Sequence, residues 1–447
     1  MSQKSRLAFV LVLLMTTTLS LPAQTKLVLT LEESLRLALL QNPQLLAESA
    51  KEDQASAVVG QALANFFPQL NAQGTDILDK KVFSVLFPAF FPGMEAQWVK
   101  FDFTRTYQLT FNFSLPLYAG GRVLSGYKTA NYNLQATREA IRRTKQETVF
   151  NVKKAFYGYL LALQFRDVAQ EAVTLAEKHL KNVRNMYDVG MAAKFDLLRT
   201  EVQLANLQPQ LIRARNALSL GEIGLKTLLG LDLGQEIEVQ GELGYKDVEA
   251  NLDSSVVQAL SVRPEIVQLN LQKQMAAEML KSAKAAYLPT VGLGAQYNLW
   301  GDKFRFTSDV WQDYYSINLV LSVPISNGFM TKARIGESKA MLKQLEYGQK
   351  SLSDLVRYEV QEAVLNLRQA KESLLSQEKN VEQAQEAVRI AELNYAEGLA
   401  TNLDVNSAQV ALSQARTNFS QAQFDYAVAL AQLEKAVGAG EQAPAVK

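Results

Sequence analysis

Hydrophobic and polar residues alternate along two parts of the chain. Over residues 101–115 the odd positions are mainly apolar or aromatic and the even positions are polar, and residues 291–299 and 311–323 repeat the pattern. A period of two places apolar side chains on one face of a β-strand, and transmembrane strands of about 9 to 11 residues show this alternation. The pattern predicts four such strands, of which the one directly after Pro68 is the weakest.

Long helical segments follow the predicted strands. Residues 122–188 and 330–396 contain no proline, and at a rise of 1.5 Å per residue each would form a helix of about 100 Å. In the second segment, apolar and small residues follow steps of four and three, an average of 3.5 that is typical of a left-handed coiled coil. Shorter helices are predicted over residues 31–66 and 252–287, because a residue before proline is disfavoured in a helix.

These elements occur twice in the same order. Pro264 follows Pro43 by 221 residues, whereas SLPLYAGG at 114–121 matches SVPISNGF at 322–329 with an offset of 208. The segment YDVGMAAKFD at 187–196 matches YAEGLATNLD at 395–404 with the same offset of 208. The offset changes by 13, so the first copy has an insertion before residue 116, and loop tips tolerate insertions best. This region includes VFSVLFPAFFPG at 82–93, which is unusually apolar for an exposed loop.

The two copies define the predicted domain organisation. We expect a first repeat over residues 24–230, a linker over 231–251, a second repeat over 252–438 and a tail over 439–447. Each repeat is predicted to contain a helix, a β-hairpin, a long helix and a return helix. Residues 1–23 have the pattern of a secretory signal peptide, because basic residues precede a short apolar run and a small residue before the cleavage point. That run is shorter than the about 20 residues that a transmembrane helix needs.

Composition excludes several classes of function. The chain has 46 Lys and Arg residues against 45 Asp and Glu, so it lacks the basic excess typical of nucleic-acid binding, and no nucleic-acid partner is expected. It has no cysteine and one histidine, His179, which cannot complete a zinc site by itself. We therefore predict no catalytic residues, no metal and no cofactor. His179 is expected to lie in a helix stripe or at the surface.

Four strands per chain predict an oligomer. An open sheet edge in lipid leaves backbone N–H and C=O groups unpaired at several kcal/mol each, so strands of several chains must close a shared barrel. Two chains would give eight strands and a filled barrel, whereas twelve or more leave a lumen. A symmetric homo-oligomer of three or more chains is favoured. The alternatives are a periplasmic adaptor, a coiled-coil adhesin, a soluble sandwich and an enzyme, and none of these accounts for both repeats and the apolar strand faces.

The order and spacing of these features resemble the TolC family of outer-membrane efflux and secretion channels. The resemblance rests on LTLEESLRLALLQNP at 29–43, the two repeats and the turn YAEGLATNLDV at 395–405. It implies a mainly α-helical fold with transmembrane β-structure. In that fold, long coiled-coil helices form an α-barrel in the periplasm and four strands per chain join a trimeric β-barrel in the outer membrane. It also implies a passive exit duct for tripartite efflux or type I secretion, docked onto a periplasmic adaptor and an inner-membrane pump.

The resemblance further implies site residues at the periplasmic helix tips. The family closes its tunnel with acidic residues on a return helix, of which the first matches Asp404 and the second falls at Ser407, a serine in this chain. Asp404 also fits a helix cap, since Thr401 precedes it by three residues, and both roles remain open. Gly190 and Gly398 are predicted to end their helices. The candidate adaptor-contact residues at the two tip turns are Tyr187, Gly190, Asp196, Tyr395, Gly398 and Thr401.

Overall fold

The computed structural model describes residues 26–101, 106–305, 307 and 311–439. The predicted signal peptide at 1–23 and residues 440–447 of the predicted tail lie outside this part of the chain. In chain order the elements are β1 (Leu27–Leu29), α1 (Leu31–Gln41), α2 (Pro43–Ala64), β2 (Gln69–Asp76), β3 (Phe83–Phe87), β4 (Gln97–Phe101), β5 (Tyr107–Tyr118), α3 (Arg122–Asp188), α4 (Lys194–Leu229), β6 (Ile237–Val239), α5 (Leu252–Val262), α6 (Pro264–Ala285), β7 (Thr290–Gly301), β8 (Gln312–Ser322), α7 (Met330–Ala396) and α8 (Asn402–Val437).

The helices of the two halves have matching lengths. Helices α3 and α7 have 67 residues each, and the return helices α4 and α8 have 36 each. The bounds of α3 and α7 are those of the two proline-free segments, so this prediction is confirmed. None of the helices in the described ranges has an apolar stretch sufficient to cross a membrane. The boundaries of the two sequence repeats stay a prediction.

The predicted helices at 31–66 and 252–287 were wrong as single helices, because each is divided by an internal proline. Asn42 precedes Pro43 with a ψ of 119°, and Arg263 precedes Pro264 with a ψ of 131°. Both values are extended, since the proline ring clashes with the preceding residue in a helical conformation. Asn42 stabilises the break: its side-chain amide donates to the Leu228 carbonyl oxygen at 2.8 Å, and its Oδ1 accepts from the Leu45 N–H at 3.1 Å.

The strands β2, β5, β7 and β8 form one antiparallel sheet in that order. The register aligns Phe111 with Tyr297, and Tyr297 with Tyr315, on one face. On the other face Thr110 is aligned with Asn298 and donates to its Oδ1 at 2.8 Å. The predicted alternation is therefore confirmed, including the weak strand after Pro68, which is β2. Among the described residues, β2 and β8 have no further strand partner in this chain.

The strand predicted over residues 101–115 begins later than expected. β5 starts at Tyr107, and Phe101 instead ends β4, which pairs with β3 in a separate two-stranded hairpin. Residues 102–105 lie outside the described part of the chain. Apolar and polar residues alternate from Phe101 of β4 through β5. The alternation therefore cannot show that β4 pairs with β3 whereas β5 pairs with β2 and β7.

The chain contains two compact units, each with residues from both repeats. Unit 1 comprises the described residues within 26–48, 141–263 and 355–439, and unit 2 comprises those within 49–140 and 264–354. Unit 2 holds the four-stranded sheet and the hairpin. In unit 1, β1 and β6 pair in parallel beside an apolar core built mainly from helices. The largest fully buried side chains of that core are those of Leu29, Phe156, Leu225, Leu229 and Val152.

Candidate functional site

The turns at the helix tips have the same backbone geometry. Gly190 and Gly398 have φ values of 78° and 75°, a left-handed conformation that glycine adopts without steric cost. After α3, Met191 N–H donates to Met186 O at 2.7 Å and Gly190 N–H donates to Tyr187 O at 2.9 Å. The equivalent pair of bonds follows α7. This pattern is a Schellman motif, so the prediction that both glycines end helices is confirmed.

Thr401 and Asp404 form a capping box at the start of α8. The Thr401 hydroxyl accepts from the Asp404 N–H at 3.3 Å, and Asp404 Oδ2 accepts from the Thr401 N–H at 2.8 Å. The hydroxyl of Thr401 also donates to the same carboxylate oxygen at 2.6 Å. These side-chain and backbone hydrogen bonds from Thr401 lower the pKa of Asp404, so the exposed carboxylate is charged at neutral pH. Ser407 is also exposed on α8.

The matching helix start in the first repeat lacks this cap. Ala193 occupies the N-cap position of α4 and makes no side-chain hydrogen bond to the helix. Asp196 lies in the first turn of α4, where its charge is favourable near the positive end of the helix dipole. Its carbonyl oxygen accepts from the side-chain amide of Asn402 at 3.2 Å. The starts of the two return helices are therefore hydrogen-bonded to each other.

A buried polar cluster lies between these helices. We name His179, Thr200, Asn402 and Asn406 the tip node. His179 Nε2 lies 2.6 Å from Asn402 Oδ1, and the Asn402 amide donates to Thr200 Oγ1 at 3.1 Å. The amide of Asn406 donates to Asn402 Oδ1 at 3.1 Å. All four side chains are less than 10% exposed and are hydrogen-bonded, as buried polar groups require.

Three members of the tip node, Thr200, Asn402 and Asn406, were not predicted as functional residues. His179 was predicted to lie in a helix stripe or at the surface, and the structure shows this side chain buried in α3 at 6% exposure. The sequence does distinguish these four positions, because the second repeat and the first hold different residue types there at the offset of 208. The positions equivalent to His179, Thr200, Asn402 and Asn406 hold Ala387, Ala408, Lys194 and Leu198, and none of these can replace its counterpart in this hydrogen-bonded network.

Tyr395, another of the predicted contact residues, packs against the tip node. Its ring packs edge-on against the His179 ring, with centroids 5.5 Å apart. Burial raises the pKa of the Tyr395 hydroxyl, and the nearby Asp196 carboxylate raises it further. Tyr187, the equivalent residue in the first repeat, is 37% exposed. The structure thus brings Asp196, Tyr395 and the Thr401 cap together around Asn402.

Metal binding was not expected from the sequence. Within the ranges that the structure describes, no three His, Cys, Asp or Glu side chains cluster in a way that could hold a metal ion.

Comparison with known proteins identifies the family. The family model described as "Outer membrane efflux protein" matches residues 34–231 and 256–439. The alkaline protease secretion protein AprF of Pseudomonas aeruginosa is 25% identical, with coverage of 76% of this chain and 71% of AprF. The probable efflux pump outer membrane protein TtgC of Pseudomonas putida is 25% identical, with coverage of 92% of this chain and 83% of TtgC.

The fold also matches solved channel structures. The open state of the MtrE outer membrane channel of Neisseria gonorrhoeae aligns with a TM-score of 0.75 and 18% identity, over 93% of this chain and 91% of MtrE. The periplasmic adaptor alternative is not favoured, because the similar proteins are outer-membrane channel components. The chain belongs to the outer membrane efflux protein family and is a channel subunit of the outer membrane with a periplasmic helical extension.

Proposed function

We propose that three copies of this chain form one passive exit duct, which catalyses no reaction. The observation that carries this proposal is the four-stranded sheet, with one apolar face and two unpartnered outer strands among the described residues. The apolar face suits contact with outer-membrane lipid. The outer strands need partners there, because lipid cannot satisfy backbone N–H and C=O groups.

The strand directions support closure between copies. β2 follows helix α2, whereas β8 precedes helix α7, so the two outer strands run in opposite directions relative to the helix-bearing end of the sheet. Pairing of β2 with β8 of a neighbour would therefore continue the antiparallel order. Three chains would supply twelve strands, enough to enclose a lumen. Cyclic symmetry gives every outer strand an equivalent partner.

The helix tips are the proposed docking surface for a periplasmic adaptor, which links the duct to an inner-membrane pump. The family relationship supports this role, since TtgC is named for an efflux pump and AprF for protease secretion. We assign adaptor contact to Tyr187, Gly190 and Gly398 at the tip turns, together with the Asp196, Tyr395 and Thr401 side chains around Asn402. The division into repeats at 24–230 and 252–438 belongs to the same proposal, because it gives two tips per chain.

Asp404 is proposed to line the periplasmic end of the tunnel in addition to capping α8. Its carboxylate is exposed and is held by Thr401 in one orientation. Three copies would place three fixed negative charges about the symmetry axis, which would favour cations over anions. Ser407, one turn further along α8, adds no charge to this ring.

Planar-bilayer recording tests the proposed duct. Detergent-solubilised protein is first assayed by native mass spectrometry, and we expect a trimer. The trimer is then added to the bilayer, where we expect stable single-channel steps, and detergent alone serves as the control. A monomer that gives no conductance steps would overturn the proposed function.

A further inference from the structure

The β3–β4 hairpin exposes an unusual amount of apolar surface. Its register pairs Leu86 with Trp98 on one face and Val85 with Val99 on the other, so both faces carry large apolar side chains. Phe90 and Phe91, in the turn between the strands, are 68% and 72% exposed. The exposed large apolar residues of this segment are Phe83, Leu86, Phe87, Phe90, Phe91, Met94, Trp98 and Val99.

Neither water nor lipid is a suitable environment for this hairpin. Water leaves both apolar faces uncovered, and a two-stranded hairpin is marginally stable in water without further packing. Lipid covers the faces but cannot pair with the outer edges of β3 and β4, which have no further strand partner among the described residues. A protein surface can supply both apolar contact and hydrogen-bonding groups. The hairpin needs both apolar contact and hydrogen-bonding groups, so a protein surface is favoured over lipid as its contact.

The position of the hairpin indicates which protein surface is available. The hairpin lies in the connection from β2 to β5. This connection is at the end of the sheet opposite the end at which the helices join the strands. In a channel with periplasmic helices, that end faces outwards. β2 is an outer strand of the sheet, so the hairpin extends from the proposed subunit boundary. The β7–β8 connection contains no second hairpin among its described residues. A trimer would therefore carry one such hairpin per subunit at the same height.

We propose that the β3–β4 hairpins of the three subunits pack on one another over the outer mouth of the channel and form an apolar constriction. This inference rests on the proposed trimeric duct. In a cyclic assembly, identical residues approach each other only near the symmetry axis. The exposed Phe90 and Phe91 rings at the hairpin tip would therefore meet their own counterparts, which removes them from water.

Disulfide cross-linking tests this contact directly, because the sequence contains no cysteine. We expect Phe90→Cys trimers in detergent to form a disulfide-linked dimer band on non-reducing gels after mild oxidation. The matched control is Ile325→Cys, at the helix-bearing end of the same sheet and 96% exposed, which should give no band. A trimer of Phe90→Cys without cross-links would overturn the constriction and leave the proposed duct intact. Failure of the unmodified chain to form a trimer would instead overturn the proposed function.

Conductance provides a second measurement. The Phe90→Ser, Phe91→Ser double variant should show a several-fold higher single-channel conductance than the unmodified channel, since polar tips no longer pack together. Ile325→Ser should leave the conductance unchanged. A folded trimeric double variant with unchanged conductance would overturn the constriction. Quenching of a fluorescent label on Phe90→Cys by brominated lipid would also overturn it, because the tip would then lie in the membrane.

Discussion

His179 Nε2 and Asn402 Oδ1 lie 2.6 Å apart and join helix α3 to the start of α8. The amide of Asn402 donates to Thr200 Oγ1 and to the Asp196 carbonyl oxygen, so its Oδ1 faces the histidine as an acceptor. His179 Nε2 is therefore the donor in this contact. One asparagine thus holds three helices, α3, α4 and α8, in register at the periplasmic tips.

Asn402→Ala should destabilise the protein by about 1–3 kcal/mol, because the buried side chains of His179 and Asn406 lose their hydrogen bonds to Asn402 Oδ1. Chemical unfolding of the detergent-solubilised protein, followed by circular dichroism, measures this change. Ser407→Ala is the matched control on the exposed side of α8 and should change stability by less than about 0.5 kcal/mol. Equal stability of Asn402→Ala and the unmodified protein would show that the tip node contributes nothing.

Thr401→Ala should remove the capping box of α8 and cost about 0.5–2 kcal/mol of unfolding free energy. The reverse change is available in the first repeat, where Ala193 has an extended N-cap conformation, with φ of −77° and ψ of 149°, and Asp196 follows three residues later. Ala193→Thr should therefore stabilise α4 by a similar amount. Unfolding of both variants under the same conditions compares the two helix starts. A lower stability of Ala193→Thr than of the unmodified protein would contradict this prediction.

The contribution of Asp404 to stability should depend on pH. Because the hydrogen bonds from Thr401 lower its pKa in the folded protein, the native state binds protons less readily than the unfolded chain. The stabilisation is therefore present above the ordinary carboxyl pKa of about 3.9 and is lost as pH falls through the lower folded pKa. Asp404→Asn should be less stable than the unmodified protein at pH 7, and the difference should shrink towards pH 3. A difference that grows in acid would contradict this sign.

Ion selectivity separates the capping role of Asp404 from its proposed role in the tunnel. Asp404→Ala and Asp404→Asn should both reduce the preference for cations in planar bilayers, because they remove the negative ring. Thr401→Ala keeps the charge and removes the cap, so it should leave the selectivity close to that of the unmodified channel. Ser407→Asp should strengthen the cation preference. If Thr401→Ala and Asp404→Asn change selectivity equally, the cap and not the charge controls the currents.

Local sequence determined most of the secondary structure. The proline-free segments at 122–188 and 330–396 coincide with α3 and α7, because a helix continues where nothing interrupts its hydrogen bonds. The Thr401 and Asp404 pair formed the predicted cap, since both residues belong to one turn. The helix breaks at Asn42 and Arg263 also follow from local sequence, because each residue precedes a proline. They were not predicted.

Pairing and burial were decided by the tertiary structure. Phe101 continues the alternation of β5, but it pairs with Phe83 in the hairpin, and a period of two gives the face of a residue without naming its partner strand. His179 and Asn402 are 223 residues apart. Their burial depends on which helices pack around them, and a neutral polar side chain is stable inside only when that packing supplies a hydrogen-bond partner. Spacing along one helix carries no information about a partner on another, so the tip node became visible only in the folded chain.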